Sequence, residues 1–183
     1  MTSGFDREWT ETLLPLTAGV YRTWSRVRAI GVDNVPAQGR ALLVSNHPGV
    51  IPYDGAMVRT ALLLEHAQPR HARALVLNGA FSMLGASWLI RRTGNTLAHD
   101  ADARRLLEND ELLLVFPEGT KGTGKPYADR SRLRRFGRGG FVEVALRTAA
   151  RSSRSASWGA RRSIPTSPKS LLWQGFSACH TRL

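Results

Sequence analysis

The sequence predicts an α/β domain in which helices are layered on a sheet, and three observations carry that prediction. Residues 41–45 (ALLVS), 73–77 (RALVL) and 111–116 (ELLLVF) are short apolar runs of the length and composition of buried strands. Stretches with helical spacing of apolar residues lie between and after them, so strand and helix alternate along the chain. The 183 residues, 42% of them apolar, fit a single domain with a real core.

The elements follow in order. Residues 5–29 carry Phe5, Trp9, Leu13, Leu14, Leu16, Val20, Tyr21, Trp24 and Val27 at roughly helical spacing, interrupted at Pro15. Arg7, Arg22, Arg26 and Arg28 stand between them. Two readings stand here: a helix lying on an anionic bilayer, or an ordinary helix packed on the core. The segment GVDNVPAQGR is a turn-rich connector, punctuated by Asn34, Pro36 and Gly39. The strand at 41–45 is followed by a helix over 55–66, and the strand at 73–77 by a mostly apolar helix over 81–90. GNTLAH supplies a short third strand, and Asp100 or Asp102 caps a helix running through Leu107. The strand at 111–116 ends in the Gly-rich PEGTKGTGK, and a last helix covers 139–150. There are no internal repeats.

The formal net charge is +12, which points to an anionic partner. The excess is uneven. All 14 acidic residues lie in residues 1–150, whereas 151–183 hold six basic residues and no acid, so half of the excess belongs to the last 33 residues. No apolar run reaches the roughly 18 residues of a membrane span. Asp6, Arg7 and Glu8 stand where a secretory signal needs apolar residues. Cys179 is the sole cysteine, which excludes an intramolecular disulfide. A cytoplasmic setting is the expectation.

Two loops that follow strands hold groups suited to chemistry. In VSNHPGVIPYDG, His47 is suited to proton transfer near neutral pH. Asp54 can accept from one ring nitrogen, fixing the tautomer and leaving the other nitrogen as a base; the alternative is a structural turn. In the second loop, Glu118, Gly119, Thr120 and Lys121 form a Gly-rich turn with a cation beside it, a cradle for an anion or simply a solvated basic loop. It is not a P-loop, because Lys125 is followed by Pro126. Arg130, Arg132, Arg134, Arg135 and Arg138 follow.

SNHPGVIPYDG, VFPEGTKG and FGRGGFVEVAL, in that order and at these separations, resemble the PlsC-type glycerolipid acyltransferases (the 1-acylglycerol-3-phosphate acyltransferase superfamily) over about residues 20–150. The resemblance implies a glycerolipid-acyltransferase-like mixed sheet flanked by helices. It implies His47 as general base, oriented by Asp54, with Glu118, Gly119, Thr120 and Lys121 binding the phosphorylated acceptor. The reaction implied is transfer of a fatty acyl group from acyl-CoA or acyl-carrier protein to a hydroxyl of a lysophospholipid or related glycerolipid. It needs no metal, no cofactor beyond the thioester co-substrate and no covalent acyl-enzyme. The partners implied are the acyl donor, the lipid acceptor and an anionic membrane surface, with the protein peripheral on the inner face of the membrane. Departures are plain: the spacing is H-x6-D where the family has H-x4-D, and Lys121 stands where many members have arginine. The family's middle motif, which ends in an arginine that contacts the acceptor, is not cleanly present; Arg91 and Arg92 lie near its region.

The domain so defined is residues 1–150, with 1–30 as a membrane-associated helix. Beyond it the family continues with an apolar strand, whereas this chain continues RSSRSASWGARRSIP. Restoring one base before the codon of Arg151 permits PIVPVSVVG, a strand of the family's type. Residues 151–183 therefore look frameshifted, an aberrant Ser/Arg-rich tail that leaves the C-terminal part of the domain missing or disordered. The alternative is a genuine disordered tail. Two further functional readings stand beside catalysis: a basic, non-catalytic membrane- or nucleic-acid-binding module, and an inactive truncated remnant. The aromatic platform of a single-strand binder is not apparent, so nucleic acid is not the expected partner.

Overall fold

The strand at Ala41–Ser45 (β1) is the middle of the fold, and all five of its side chains are buried. The structure, a computed structural model, describes residues 4–46, 53–81, 86–119, 139–155 and 179–180. β1 pairs in parallel with β4 (Leu112–Val115) on one side and β5 (Arg151–Ser155) on the other. Beyond β4 lie β2 (Ala72–Val76) and β3 (Thr96–Leu97), both parallel. A short antiparallel strand, β6 (Cys179–His180), lies on β5. The order is β3-β2-β4-β1-β5-β6, a mixed sheet as expected.

Helices cover both faces, which is why the central strands read as unbroken apolar runs. Side chains alternate between faces along each strand. Leu43, Leu112 and Leu114 meet Met57, Val58, Ala61 and Leu62 of α3 (Tyr53–Leu64) on one face. Leu42, Val44, Leu113 and Val115 face the other way. There they meet Ala103, Leu106 and Leu107 of α6 (Asp100–Glu108) and Val144 and Ala145 of α7 (Gly140–Arg147). Each fully buried leucine stabilises the fold by about 1.5–3 kcal/mol relative to exposure.

The N-terminal segment is divided. α1 (Arg7–Thr12) is capped by Asp6, whose Oδ1 accepts from the Trp9 N–H at 2.9 Å. Pro15 lies in the first turn of α2 (Leu14–Gly19), where the missing N–H costs nothing. A π-helical turn over Val20–Trp24 follows. Tyr21 is buried and donates its hydroxyl to Glu65 at 2.5 Å, whereas Leu16 and Trp24 are exposed. The segment thus packs on the core through Tyr21 and leaves Leu16 and Trp24 on its surface.

Three expectations are corrected. The helix placed over 81–90 differs in its bounds: Phe81 belongs to α4 (Asn78–Phe81) and 86–90 to α5 (Ala86–Arg92), while 82–85 lie outside the described residues. The cap of α6 is His99 rather than Asp100 or Asp102; its Nδ1 accepts from the Ala101 N–H at 3.2 Å. The aspartates sit inside the first turn, where they favour the positive end of the helix. Finally, Arg151–Ser155 is a strand although nothing in RSSRS resembles one. The free edge of β1 presents backbone donors and acceptors, and pairing with them depends on the backbone rather than on side chains.

A buried arginine ties the N-terminus to the sheet. Arg73 on β2 is 1% exposed. It donates through Nε to the Gly94 carbonyl at 2.7 Å, pairs with Glu111 at 3.1 Å, and stacks 4.4 Å from the Phe5 ring centre. A Cβ at Gly94, whose φ is +85°, would come within 2.8 Å of both Arg73 Nε and the Phe5 ring, so glycine is required there.

Candidate active site

β1 and β4 are parallel neighbours, so their C-terminal ends open side by side. From β1 the chain goes to α3 on one face of the sheet. From β4 it returns through α7 on the other face. Adjacent strands whose connections part to opposite faces leave a crevice at their C-terminal ends, where open α/β sheets bind ligands.

Asp54 lines the β1 side. It is 1% exposed, in the first turn of α3, where the helix N-terminus favours its negative charge. Oδ1 accepts from the Gly55 N–H at 2.9 Å, which restricts the carboxylate's orientation. Phe116, the residue leaving β4, tucks against the same turn: its ring carbon Cζ is 3.4 Å from where a Gly55 Cβ would stand. The residue leaving β4 is therefore in contact with the first turn of α3. On the β4 side, Gly119 adopts φ +53° and its N–H donates to the Phe116 carbonyl at 3.0 Å, closing a tight turn around Glu118. Glu118 is 3% exposed. Two buried carboxylates thus follow neighbouring strands: Asp54 in the first turn of α3 after β1, and Glu118 in the turn after β4.

Among the residues singled out from the sequence, the structure describes Asp54, which follows β1, and Glu118 and Gly119, which follow the neighbouring β4. His47, Thr120 and Lys121 lie outside the described residues, as do the arginines from Arg130 to Arg138. Arg91 and Arg92 take up positions against aromatic rings: Arg91 over Phe81 at 5.2 Å, and Arg92 over Trp88 at 4.9 Å and Trp9 at 5.8 Å. Among the described residues, no three His, Cys, Asp or Glu side chains gather as metal ligands.

Sequence reasoning passed over Tyr53, the residue before Asp54. Its hydroxyl is buried with no hydrogen-bond partner among the described residues, and burial pushes the phenol's pKa up. Leaving such a group unpaired costs about 1–3 kcal/mol. An aromatic hydroxyl directly before the aspartate, in PYDG, was the available signal.

Comparison with known proteins places this crevice in context. The family described as Acyltransferase matches residues 26–165, running past Ala150 into the Ser/Arg-rich segment. The uncharacterized protein Rv0502 of Mycobacterium tuberculosis is 46% identical over 148 residues, covering 80% of this chain and 41% of that protein. The uncharacterized protein ML2427 of Mycobacterium leprae is 45% identical over 148 residues, covering 80% and 40%. The chain thus spans about two fifths of the length of these relatives. In fold it is similar to the crystal structure of the 1-acyl-sn-glycerophosphate acyltransferase PlsC from Thermotoga maritima. The TM-score is 0.56 and the identity 19%, over 93% of this chain and 67% of that one. With more than half of its residues matched by the family, and the FPEG turn and the aspartate of PYDG set at neighbouring strand exits, the chain belongs to the acyltransferase family.

Proposed function

We propose that the chain is an O-acyltransferase that moves a fatty acyl group from acyl-CoA or acyl-carrier protein to a hydroxyl of a lysophospholipid or related glycerolipid. The observation that carries this reading is the contact of Phe116, the residue leaving β4, with the first turn of α3 that bears buried Asp54, in a chain of this family. The Thermotoga protein of similar fold is a lysophosphatidic acid acyltransferase by its description, which supports a glycerolipid acceptor.

In this reading His47 takes the proton of the acceptor hydroxyl as that oxygen attacks the thioester carbonyl. Collapse of the tetrahedral species expels the thiolate, which takes up the proton held by the imidazole. Asp54 orients the ring and stabilises its charged form. The backbone of the turn at Gly119 and Thr120, with Lys121, receives the phosphorylated part of the acceptor, and Glu118 holds the turn's shape. Among the described residues no helix is long and apolar enough to cross a membrane. The proposed setting is peripheral, on the inner face of an anionic membrane.

The test is transfer of labelled acyl groups from acyl-CoA to lysophosphatidic acid, comparing the protein with His47→Ala. Loss of a general base lowers the rate by about 10²–10⁴-fold. Transfer that survives the substitution refutes the assigned base.

A second reading, a remnant that keeps the fold without activity, is favoured by β5. This strand lies beside the central one, yet its sequence is RSSRS and its Ser153 is buried.

A further inference from the structure

α5 carries an apolar pair that the fold does not cover. Trp88 is 54% exposed and Leu89 44% exposed, on consecutive positions of a helix that already packs on α1. The packing runs through Trp9, whose ring stands edge-on to Trp88 with centres 5.1 Å apart. Arg92, one turn beyond Trp88, lies over both indoles, and its guanidinium approaches Asp6 at 3.9 Å. Arg91 is exposed beside it. The result is an aromatic and aliphatic ridge bordered by two arginines.

We propose that this ridge, formed by α5 with α1 beneath it, is the surface by which the protein docks on an anionic lipid bilayer. Trp88 and Leu89 enter the boundary between head groups and acyl chains, and Arg91 and Arg92 meet the lipid phosphates. The proposal deepens the functional reading above and rests on it for the lipid nature of the acceptor. Four features of the ridge select this occupant. Indole rings prefer the boundary zone, where one edge is apolar and the N–H stays wet. Leu89 cannot stack on a base, which disfavours nucleic acid, but it gains from hydrocarbon. Two arginines beside an apolar ridge match a surface of phosphates. A second copy of the chain fits poorly where the twofold axis passes near the arginines, because each then meets its own equivalent.

The test uses the full chain and vesicles of phosphatidylcholine with and without phosphatidylglycerol, read by co-sedimentation. The protein is expected to bind the anionic vesicles in preference. Trp88→Ser with Leu89→Ser weakens that binding by at least about tenfold, since each exposed apolar side chain contributes on that scale when buried. Arg91→Gln with Arg92→Gln abolishes the preference for phosphatidylglycerol. Both pairs are on the surface, and unchanged circular dichroism shows that the variants fold. Binding by the Trp88/Leu89 variant equal to that of the parent overturns the proposal, as does a parent that ignores vesicles. A changed sedimentation coefficient of that variant without lipid also overturns it, in favour of self-association. Acyl transfer to detergent-dispersed lysophosphatidic acid reads the catalytic assignment separately. A parent that binds vesicles but transfers nothing sinks that assignment and leaves the docking surface standing.

Discussion

Asp54 concentrates the residue-scale case. A carboxylate buried this deeply persists only with donors around it, and the first turn of α3 supplies one through Gly55. If its task is to orient a base, Asp54→Asn keeps the shape and removes the charge. Transfer is then expected to fall by about a hundredfold or more, with circular dichroism unchanged. Combined with His47→Ala, the two losses should not multiply, because residues acting as a unit are not additive. A double variant whose loss equals the product of the single losses separates Asp54 from the base. Asp54 and FPEG stood out in the sequence because each follows an apolar strand and their order resembles the family's motifs. Tyr53 was not legible, because whether a phenol is buried depends on which distant segments pack around it, here a core drawn from several strands.

Among the elements, α1 is held by contacts no single segment encodes. His71, beside β2, donates through Nε2–H to Glu11 of α1 at 3.1 Å and meets the Phe5 ring edge-on at 5.3 Å. Burial lowers the pKa of His71; the Glu11 hydrogen bond and charge oppose the shift, and the charges of Arg7 and Arg59 add to it. The folded state therefore resists taking up a proton that the unfolded chain accepts below about pH 6.5. Stability from this site is complete above that pH and declines as pH falls through it towards the lowered folded value. Thermal unfolding between pH 8 and pH 5.5 should show this slope, and His71→Gln should flatten it. An unchanged slope in the variant places the pH dependence elsewhere. The central strands were readable because burial on both faces demands apolar residues throughout. The end of α5 and the cap by His99 were not, because the boundaries of short helices are decided by local hydrogen bonds that several residue types can supply.

For the whole molecule, sequence and topology part at the β5 edge of the sheet. β5 completes the sheet by its backbone, yet buries a serine where a parallel strand normally carries apolar side chains. On α7 nearby, Val142 and Leu146 are exposed one turn apart. If a lost base produced this tail, sequencing the gene around the codon of Ala150 shows the displaced frame. The chain with the restored frame should then unfold at a higher temperature, by several degrees for each kcal/mol gained. An uninterrupted frame whose close relatives share RSSRS removes the idea.

Sequence alone determined the alternation of strand and helix, the central apolar strands, and the two strand-exit motifs that mark the family. Each follows from local pattern: periodicity, turn residues and spacing. Only the tertiary structure decided that Phe116 packs against the first turn of α3, that α3 and α7 lie on opposite faces of the sheet, and that RSSRS pairs as a strand. It also decided that Trp88 and Leu89 are left uncovered. These depend on which distant segments the sheet order brings together, and on backbone pairing, to which side-chain pattern is blind.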